Sequence, residues 1–239
     1  MIVLDDVSVR FDKPVLTDVS LRIERGELCG LLGAGGAGKS VLLKVCCGLL
    51  TPQSGSVYLG ERNIHELDDA EMVVLRRQIG MAFQNTALFD FMNVRENIAF
   101  PLTQDIEISQ EEANTRITNI LARVSLPGIE DLSPASLSGG MKKRVSLARA
   151  MIHQPSYLFC DDPTAGLDPV TSARIFRMLD EMRQEKGATT IVASQDVEGL
   201  LRWCDSIALL EGETLVYHGP TATARRHPAV NRFLTGTSA

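Results

Sequence analysis

A glycine-rich octapeptide near the start of the chain has the residue types that bind phosphate groups. It reads GAGGAGKS, with the spacing glycine, four residues, glycine, lysine and serine. Glycines let the backbone wrap a phosphate without Cβ clashes, and a helix that begins at the loop adds the positive end of its dipole. We therefore predict that a nucleoside triphosphate binds this loop. Its residues are Gly33, Ala34, Gly35, Gly36, Ala37, Gly38, Lys39 and Ser40.

Four side chains at two places in the sequence could act on that triphosphate together with Mg²⁺. Lys39 can reach the β- and γ-phosphates, and Ser40 has the hydroxyl that ligates Mg²⁺ in such loops. Asp161 ends the apolar run YLFCD and is predicted to hold Mg²⁺, directly or through water. Asp162 follows it, where a water would attack. These two motifs indicate a phosphate-loop NTPase but do not distinguish kinases, GTPases, helicases and transport ATPases.

Apolar segments place both motifs at the ends of buried strands. Residues 28–33 read LCGLLG, a compact apolar run that ends where the glycine-rich loop begins. Residues 156–161 and 188–194 are two further runs of this kind, and residues 39–50 are apolar enough for a buried helix, which Gly48 and the TPQSG of residues 51–55 would end. A second helix is predicted over residues 168–187, which begin with aspartate and proline and end at glycine. Strands that alternate with helices predict an α/β fold with a largely parallel central sheet.

Other parts of the chain have a different pattern. Residues 1–27 alternate in short strand-like pieces, and residues 206–219 favour a hairpin with EGE at the turn. Residues 85–150 have a mainly helical pattern, in which Ser109 is a predicted N-cap. This helical stretch is predicted to form an inserted subdomain.

Composition narrows the class of protein further. The chain has 239 residues, of which 44% are hydrophobic, enough for one large domain with a buried core. The net charge of −6 disfavours non-specific nucleic-acid binding, and no nucleic-acid partner is expected. Five cysteines without a C-x-x-C pair indicate a reduced, cytoplasmic protein. The sequence has neither a signal-peptide pattern nor an apolar run approaching the ~20 residues of a spanning helix. The chain is therefore expected to be soluble and to act at a membrane only by docking on a protein that spans it.

The segment that decides the family is residues 137–150, which read LSGGMKKRVSLARA. Here the chain resembles the ATP-binding-cassette (ABC) ATPases, whose signature is LSGGQ, and the order of phosphate loop, signature and aspartate pair also fits. The resemblance covers essentially the whole chain and implies a single ABC ATPase domain over residues 1–239. Its P-loop NTPase (RecA-like) core, with an antiparallel β subdomain, would comprise residues 1–84 and 155–239. An α-helical signature subdomain would be inserted at residues 85–154.

The resemblance also implies a nucleotide site that is shared by two cassettes. In this family two chains, the same or different, face head to tail, and each ATP lies between one phosphate loop and the partner's signature. The signature residues here are Ser138, Gly139 and Gly140. Gln84, predicted to end the strand IGMAFQ, would contact both Mg²⁺ and the attacking water. Phe11 matches the aromatic residue that stacks on adenine, although from sequence alone it could equally be an ordinary core residue.

Three segments resemble one branch of the family, the Mla- and Mce-type lipid-transport ATPases. The signature ends in Met141 rather than glutamine, residues 83–102 read FQNTALFDFMNVRENIAFPL, and residues 227–236 read HPAVNRFLTG. The resemblance implies transport of phospholipid-like lipids through a separate permease at the cytoplasmic face of the inner membrane. Residues near 85–102 would contact that permease, and the same segment also has the pattern of an amphipathic subdomain core. A small regulatory subunit and a lipid-binding Mce-type protein would be further partners.

Two positions depart from the family pattern and bear on the rate of hydrolysis. The acid after the Mg²⁺ ligand is usually glutamate and is Asp162 here, and the usual switch histidine is Gln195. Aspartate is shorter by roughly 1.5 Å, and glutamine cannot carry a proton or a positive charge. Because a misplacement on the order of 1 Å can cost ~10² in rate, we predict slow hydrolysis with ATP binding retained.

Three explanations for these two residues are compatible with the sequence. The protein could be a homodimeric ATPase with low turnover. It could instead be one half of a heterodimer, whose own phosphate-loop site is degenerate while its signature completes a competent site on the partner. Engineering to trap ATP is the third. A soluble ABC protein of translation or DNA repair is a separate alternative, but such proteins usually carry two cassettes in one chain or a long coiled-coil insert.

Overall fold

The computed structural model describes residues 1–104 and 108–236, in which ten strands and nine α-helices alternate. The strands are β1 (Ile2–Arg10), β2 (Pro14–Ile23), β3 (Leu28–Gly33), β4 (Ser54–Leu59), β5 (Arg62–Asn63), β6 (Ile79–Ala82), β7 (Tyr157–Asp161), β8 (Thr189–Ala193), β9 (Ser206–Glu211) and β10 (Thr214–Pro220). The helices are α1 (Lys39–Cys46), α2 (Asp69–Arg76), α3 (Val94–Ala99), α4 (Gln110–Arg123), α5 (Gly139–Met151), α6 (Pro169–Lys186), α7 (Val197–Trp203), α8 (Thr221–Ala224) and α9 (Pro228–Thr235). Short 3-10 helices span Phe100–Gln104 and Pro134–Ser136.

The larger sheet has the strand order β10-β9-β3-β8-β7-β6. Its strands run parallel except for β10, which pairs antiparallel with β9 at one edge. The central strands β3 and β8 are almost wholly buried, as the apolar runs in the sequence predict. Because the carboxyl ends of parallel strands meet at one edge of a sheet, the loops that follow β3, β7 and β8 come together there. The predicted α/β class with a phosphate-loop NTPase core is confirmed.

The smaller sheet is antiparallel and has the order β2-β1-β4-β5. Buried and exposed residues roughly alternate along β2, as expected for a sheet with one face on the core. The strands β1 and β2 lose regular register near Asp6 and Asp18, both of which have positive φ. This sheet corresponds to the antiparallel subdomain that the sequence predicts.

The helices α3, α4 and α5 lie between β6 and β7 in the sequence, within the predicted subdomain at 85–154. Each begins at a polar N-cap, and these caps are Asn93, Ser109 and Ser138 respectively. The side chain of each cap accepts a backbone N–H from the first turn of its helix. Their apolar faces share one hydrophobic cluster with the larger sheet and with α6. Residues 105–107 of this predicted subdomain lie outside the described residues.

The ends of two elements can be compared with the sequence prediction. The helix α1 ends at Cys46, and Gly48, predicted from the sequence to help end it, takes a left-handed conformation with φ of 71°. The strand β6 ends at Ala82, so Gln84 lies in the turn after the strand and does not end it. The short helices α2, α7, α8 and α9 carry no sequence prediction of their own.

Candidate functional site

The glycine-rich loop joins β3 to α1 and is shaped by its glycines. Gly38 precedes α1 with φ of 91°, and a Cβ there would lie 2.9 Å from the carbonyl oxygen of Val15, so only glycine fits without strain. The ammonium of Lys39 donates to the carbonyls of Gly33 at 2.6 Å and Ala34 at 2.9 Å. Lys39 is thus folded over the loop to which phosphates are predicted to bind.

Ser40 and Asp161 form the oxygen-donor pair of the site. Burial raises the pKa of Asp161, and a hydrogen bond with the Ser40 side chain acts in the opposite direction. Burial lowers the pKa of Lys39, while the charges of Asp162 and Asp161 act to raise it. A hydroxyl and a buried carboxyl in contact, with the Gln84 amide on the same cavity wall, form a donor set that suits Mg²⁺. The residues present therefore fit the metal that the sequence predicts.

Asp162 has a backbone and side-chain arrangement of its own. Its φ is 53°, and its N–H donates to the carbonyl of Ala193 at 2.8 Å, which joins the loop after β7 to the end of β8. Its carboxylate accepts long hydrogen bonds from the Ser194 hydroxyl at 3.5 Å and the Gln195 N–H at 3.4 Å. The Ser194 hydroxyl also lies 2.8 Å from that of Thr164. The Asp162 carboxylate is therefore turned toward the Ser194–Gln195 backbone.

A cavity of about 230 Å³ brings the predicted catalytic and phosphate-binding groups together. Its lining residues are Val15, Gly35, Gly36, Ala37, Gly38, Lys39, Ser40, Val41, Gln84, Asp161, Asp162, Ala193, Ser194 and Gln195. Gly35, Gly36 and Ala37 also line an adjoining cavity of about 310 Å³, together with Ala34 and Phe233 of α9. The cavity thus brings together loop residues 35–40, the aspartate pair, Gln84 and Gln195.

The signature residues lie outside that cavity in the single chain. The Ser138 side chain accepts the N–H of Met141 at 3.2 Å and begins α5. Ser138 and Gly139 are exposed, and a Cβ on Gly140 would lie 2.8 Å from a methyl of Leu167. The start of α5 therefore presents free backbone N–H groups to the surface, where they can meet a second molecule.

Phe11 and Asp168 are both surface residues. The Phe11 side chain is 58% exposed in the turn between β1 and β2, so the alternative that it is a core residue is wrong. Asp168 caps α6 by accepting the N–H groups of Val170 and Thr171, both at 3.0 Å. The Thr171 hydroxyl and these backbone donors lower the pKa of Asp168.

Two positioning contacts were not predicted from the sequence. The ammonium of Lys143 on α5 donates to the carbonyl of Ala165 at 2.7 Å and ties the signature helix to the loop after β7. The hydroxyls of Thr164 and Ser194 link that loop to the end of β8. Neither contact has a motif signal, because the partners are 22 and 30 residues apart and only the fold brings them together.

A sequence profile of the ABC transporter family matches residues 16–165. The methionine import ATP-binding protein MetN 1 of Pseudomonas fluorescens is 36% identical over 226 residues, which cover 93% of this chain and 68% of that protein. MetN of Haemophilus influenzae strain 86-028NP is 38% identical over 234 residues, covering 95% and 67% respectively. The chain therefore spans about two thirds of the length of these relatives.

Solved structures show the same fold. The dimeric structure of MJ0796, a bacterial ABC transporter cassette, has a TM-score of 0.88 and 30% identity over 92% of this chain and 99% of that one. A dimeric post-hydrolysis state of the same cassette, bound to ADP and Pi, has a TM-score of 0.87.

Proposed function

We propose that this chain powers lipid transport through a separate permease. The chain belongs to the ABC transporter family and is an ATP-binding subunit that hydrolyses ATP with Mg²⁺. The observation that carries the nucleotide chemistry is the cavity that unites the phosphate loop with Asp161, Asp162, Gln84 and Gln195. The lipid substrate rests on the sequence of residues 83–102.

We propose the following roles in the nucleotide site. The N–H groups of the phosphate loop bind the phosphates, and the ammonium of Lys39 exchanges its two carbonyl partners for phosphate oxygens. Ser40, Asp161 and Gln84 would hold Mg²⁺, which neutralises charge on the β- and γ-phosphates. Asp162 accepts the proton of the attacking water.

Gln195 completes the site as a hydrogen-bond partner of that water or of the γ-phosphate. Its amide can donate and accept but has no acid–base capacity near neutral pH. One oxygen of the Asp162 carboxylate, Oδ1, accepts the long hydrogen bonds from the Ser194 hydroxyl and the Gln195 N–H, so these two donors compete with a water for that oxygen. Both features support slow turnover at this site.

The second half of the site is proposed to come from another cassette, identical or different. The exposed start of α5, at Ser138 and Gly139, offers a hydroxyl and helix N-terminal N–H groups to a partner's γ-phosphate. Val170, in the first turn of α6, is 63% exposed and lies two residues after Asp168, which suits a position at the seam between two chains. The dimeric MJ0796 structures support this arrangement.

The permease is proposed to contact an open groove beside the residues predicted for this role. The groove has a volume of about 440 Å³ and an aromatic lining that includes Phe83, Phe89 and Phe100. Arg76 and Arg77 line the same groove, so a short permease helix with apolar and acidic side chains would suit it. No helix among the described residues is long and apolar enough to cross a membrane. We propose that the chain binds the cytoplasmic face of the inner membrane through this permease.

One experiment can distinguish a lipid from an amino acid as the transported substrate. The MetN relatives carry methionine import in their names, which makes uptake of methionine the second candidate. The complex is isolated from its native membrane and reconstituted in proteoliposomes, and ATPase activity is measured with phospholipid vesicles or with methionine and its binding protein. Stimulation by lipid, with co-isolation of a Mce-type protein and a small regulatory subunit, is expected. Stimulation by methionine alone would contradict the lipid proposal.

A further inference from the structure

Gln84 lies in a short turn that has little support from the sheet. The Gln84 turn, defined as residues 83–87, begins after β6 has ended and is closed by the N–H of Thr86 donating to the carbonyl of Phe83 at 3.0 Å. Thr86 and Ala87 both lie in the left-handed region, with φ of 60° and 49°. Two successive left-handed residues that are not glycine persist only where surrounding contacts hold them.

Those contacts come from one face of the signature helix α5. The Arg149 guanidinium donates to the carbonyl of Ala87 at 2.8 Å and to that of Thr86 at 2.9 Å. The Ser146 hydroxyl, one turn earlier, donates to the same Thr86 carbonyl at 2.8 Å. Three donors thus converge on two consecutive strained peptides.

Arg149 is an unusual group to place there. Its side chain is only 8% exposed, and no carboxylate forms an ion pair with it among the described residues. Burial accordingly lowers its pKa. The Phe89 ring, whose centroid is 5.7 Å from the guanidinium carbon, is its other neighbour. A buried guanidinium without a counter-ion is costly to retain unless its hydrogen bonds have a use.

We propose that Arg149, assisted by Ser146, is a positioning residue that fixes the Gln84 turn and thereby places the Gln84 amide over the Ser40–Asp161 pair. The proposal rests on the proposed role of Gln84 at the metal and the water. It also links two sites, because α5 begins with Ser138 at the surface proposed to meet the partner's nucleotide. A movement of α5 would then displace Arg149 and the Gln84 turn, and so change the position of the Gln84 amide at the chain's own nucleotide.

A different residue, Asn97, stabilises the part of the loop that follows the Gln84 turn. Asn97 is fully buried, and its amide donates to the carbonyls of Phe89, Met92 and Asn93 and accepts the N–H of Phe89 at 2.8 Å. That anchor holds the loop from residue 89 onward. The bonds of Arg149 and Ser146 act on the peptides next to Gln84 instead.

The test is a double-mutant cycle between Arg149→Lys and Gln84→Ala, measured as single-turnover hydrolysis and as steady-state kcat and KM. Lysine keeps the charge but cannot reproduce the planar fork to both carbonyls. Since a displacement on the order of 1 Å can cost ~10² in rate, we expect Arg149→Lys to lower the rate about 10- to 100-fold. KM for ATP should stay within about threefold, because the phosphate loop is untouched. In the Gln84→Ala background, the same substitution should change the rate by less than about twofold.

A matched control lies on the same helix. The Arg144 guanidinium donates to the carbonyls of Val124 and Ser125, both at 3.0 Å, and Ser125 is also left-handed with φ of 58°. Arg144→Lys therefore removes the same kind of fork without touching the Gln84 turn. The Arg144 guanidinium also donates to the carbonyl of the signature residue Gly140 at 3.4 Å, so any loss of rate from Arg144→Lys should be the same with and without Gln84→Ala. If Arg149→Lys prevents folding, Ser146→Ala serves in its place, with an expected several-fold loss that also disappears with Gln84→Ala.

Two results would overturn the positioning role. One is an equal loss from Arg149→Lys, or from Ser146→Ala, with and without Gln84. The other is a loss from Arg144→Lys that disappears in the Gln84→Ala background in the same way as the loss from Arg149→Lys. The wild-type rate tests the proposed ATPase separately. If that rate is too low to measure, the Mg²⁺ concentration for half-maximal ATP binding is compared, and it should rise in Arg149→Lys but not in Arg144→Lys.

Discussion

The two halves of the nucleotide site differ in how closely they follow the family pattern. On one side, Lys39, Ser40 and Asp161 have the expected residue types, and the structure places all three around one cavity. On the other side, Asp162 and Gln195 replace glutamate and histidine, and the Asp162 carboxylate faces the Ser194 hydroxyl and the Gln195 N–H, just after β8. From this contrast we predict that binding and hydrolysis are separable: the half proposed to bind phosphate has the family's residue types, and the half proposed to activate water departs from them.

Restoring the residues of the family pattern at positions 162 and 195 should have the largest effect, and that effect is on the rate of hydrolysis. Asp162→Glu with Gln195→His lengthens the carboxylate and introduces an imidazole, so we expect single-turnover hydrolysis to rise about 10²-fold or more. ATP affinity should change little. A wild type that already hydrolyses ATP at the rate of the double variant would remove the contrast between the two halves.

Substitutions among the residues proposed to bind phosphate should lower the affinity for ATP rather than the rate of hydrolysis. Lys39→Ala removes the ammonium that now donates to Gly33 and Ala34, and ATP affinity should fall about 10²-fold because hydrogen bonds to charged groups are strong. Lys44→Ala, an exposed lysine of the same helix, is the control and should have less than about a twofold effect. Titration with a fluorescent ATP analogue measures both. Equal effects from the two variants would show that only overall charge matters.

Substitution of Phe11 tests whether its exposed ring stacks on the adenine of bound ATP. Its exposed ring offers a stacking surface worth about 1 kcal/mol, so Phe11→Ala should lower ATP affinity about fivefold and Phe11→Tyr should preserve it. The free energy of unfolding should not change, since the ring is not in the core. Unchanged affinity in Phe11→Ala would mean that adenine lies elsewhere.

The smallest predicted effect concerns stability and pH. Burial raises the pKa of Asp161 above the unfolded value of 3.8, so the folded protein binds more protons and loses stability as pH rises from 3.8 through the raised pKa. Asp161→Asn removes that cost, so the free energy of unfolding at pH 7 in EDTA should be higher in the variant than in the wild type. The gain should disappear near pH 3, where the carboxyl is protonated in both states. Urea unfolding at both pH values measures it, and an equal gain at pH 3 would contradict the charge-based explanation.

The sequence was most informative where apolar runs and glycine patterns coincide. The strands β3, β7 and β8 and the caps of α6 follow directly from such runs and from the residues at positions 168, 169 and 187. The helix α2 has a capping box from Asp68 to Glu71 but buries only Leu75, so it lacks the periodic apolar face that sequence analysis detects.

Side-chain contacts across the fold could not be predicted in this way. The exposure of Phe11 depends on the turn between β1 and β2, not on its apolar neighbours. The bonds from Arg149 to the Gln84 turn join residues 62 and 63 positions apart. Such contacts have no spacing rule, because they depend on how α5 packs against the end of β6.

We propose that the phosphate loop of one chain and the helix start at Ser138–Gly140 of another chain enclose one triphosphate. A structure of the protein with Mg²⁺ and a non-hydrolysable ATP analogue tests it most directly. We predict density for the analogue along Gly33–Ser40, with the signature of a second cassette at its γ-phosphate. A loop without nucleotide at millimolar analogue, or nucleotide bound with no second cassette at the γ-phosphate, would contradict the account.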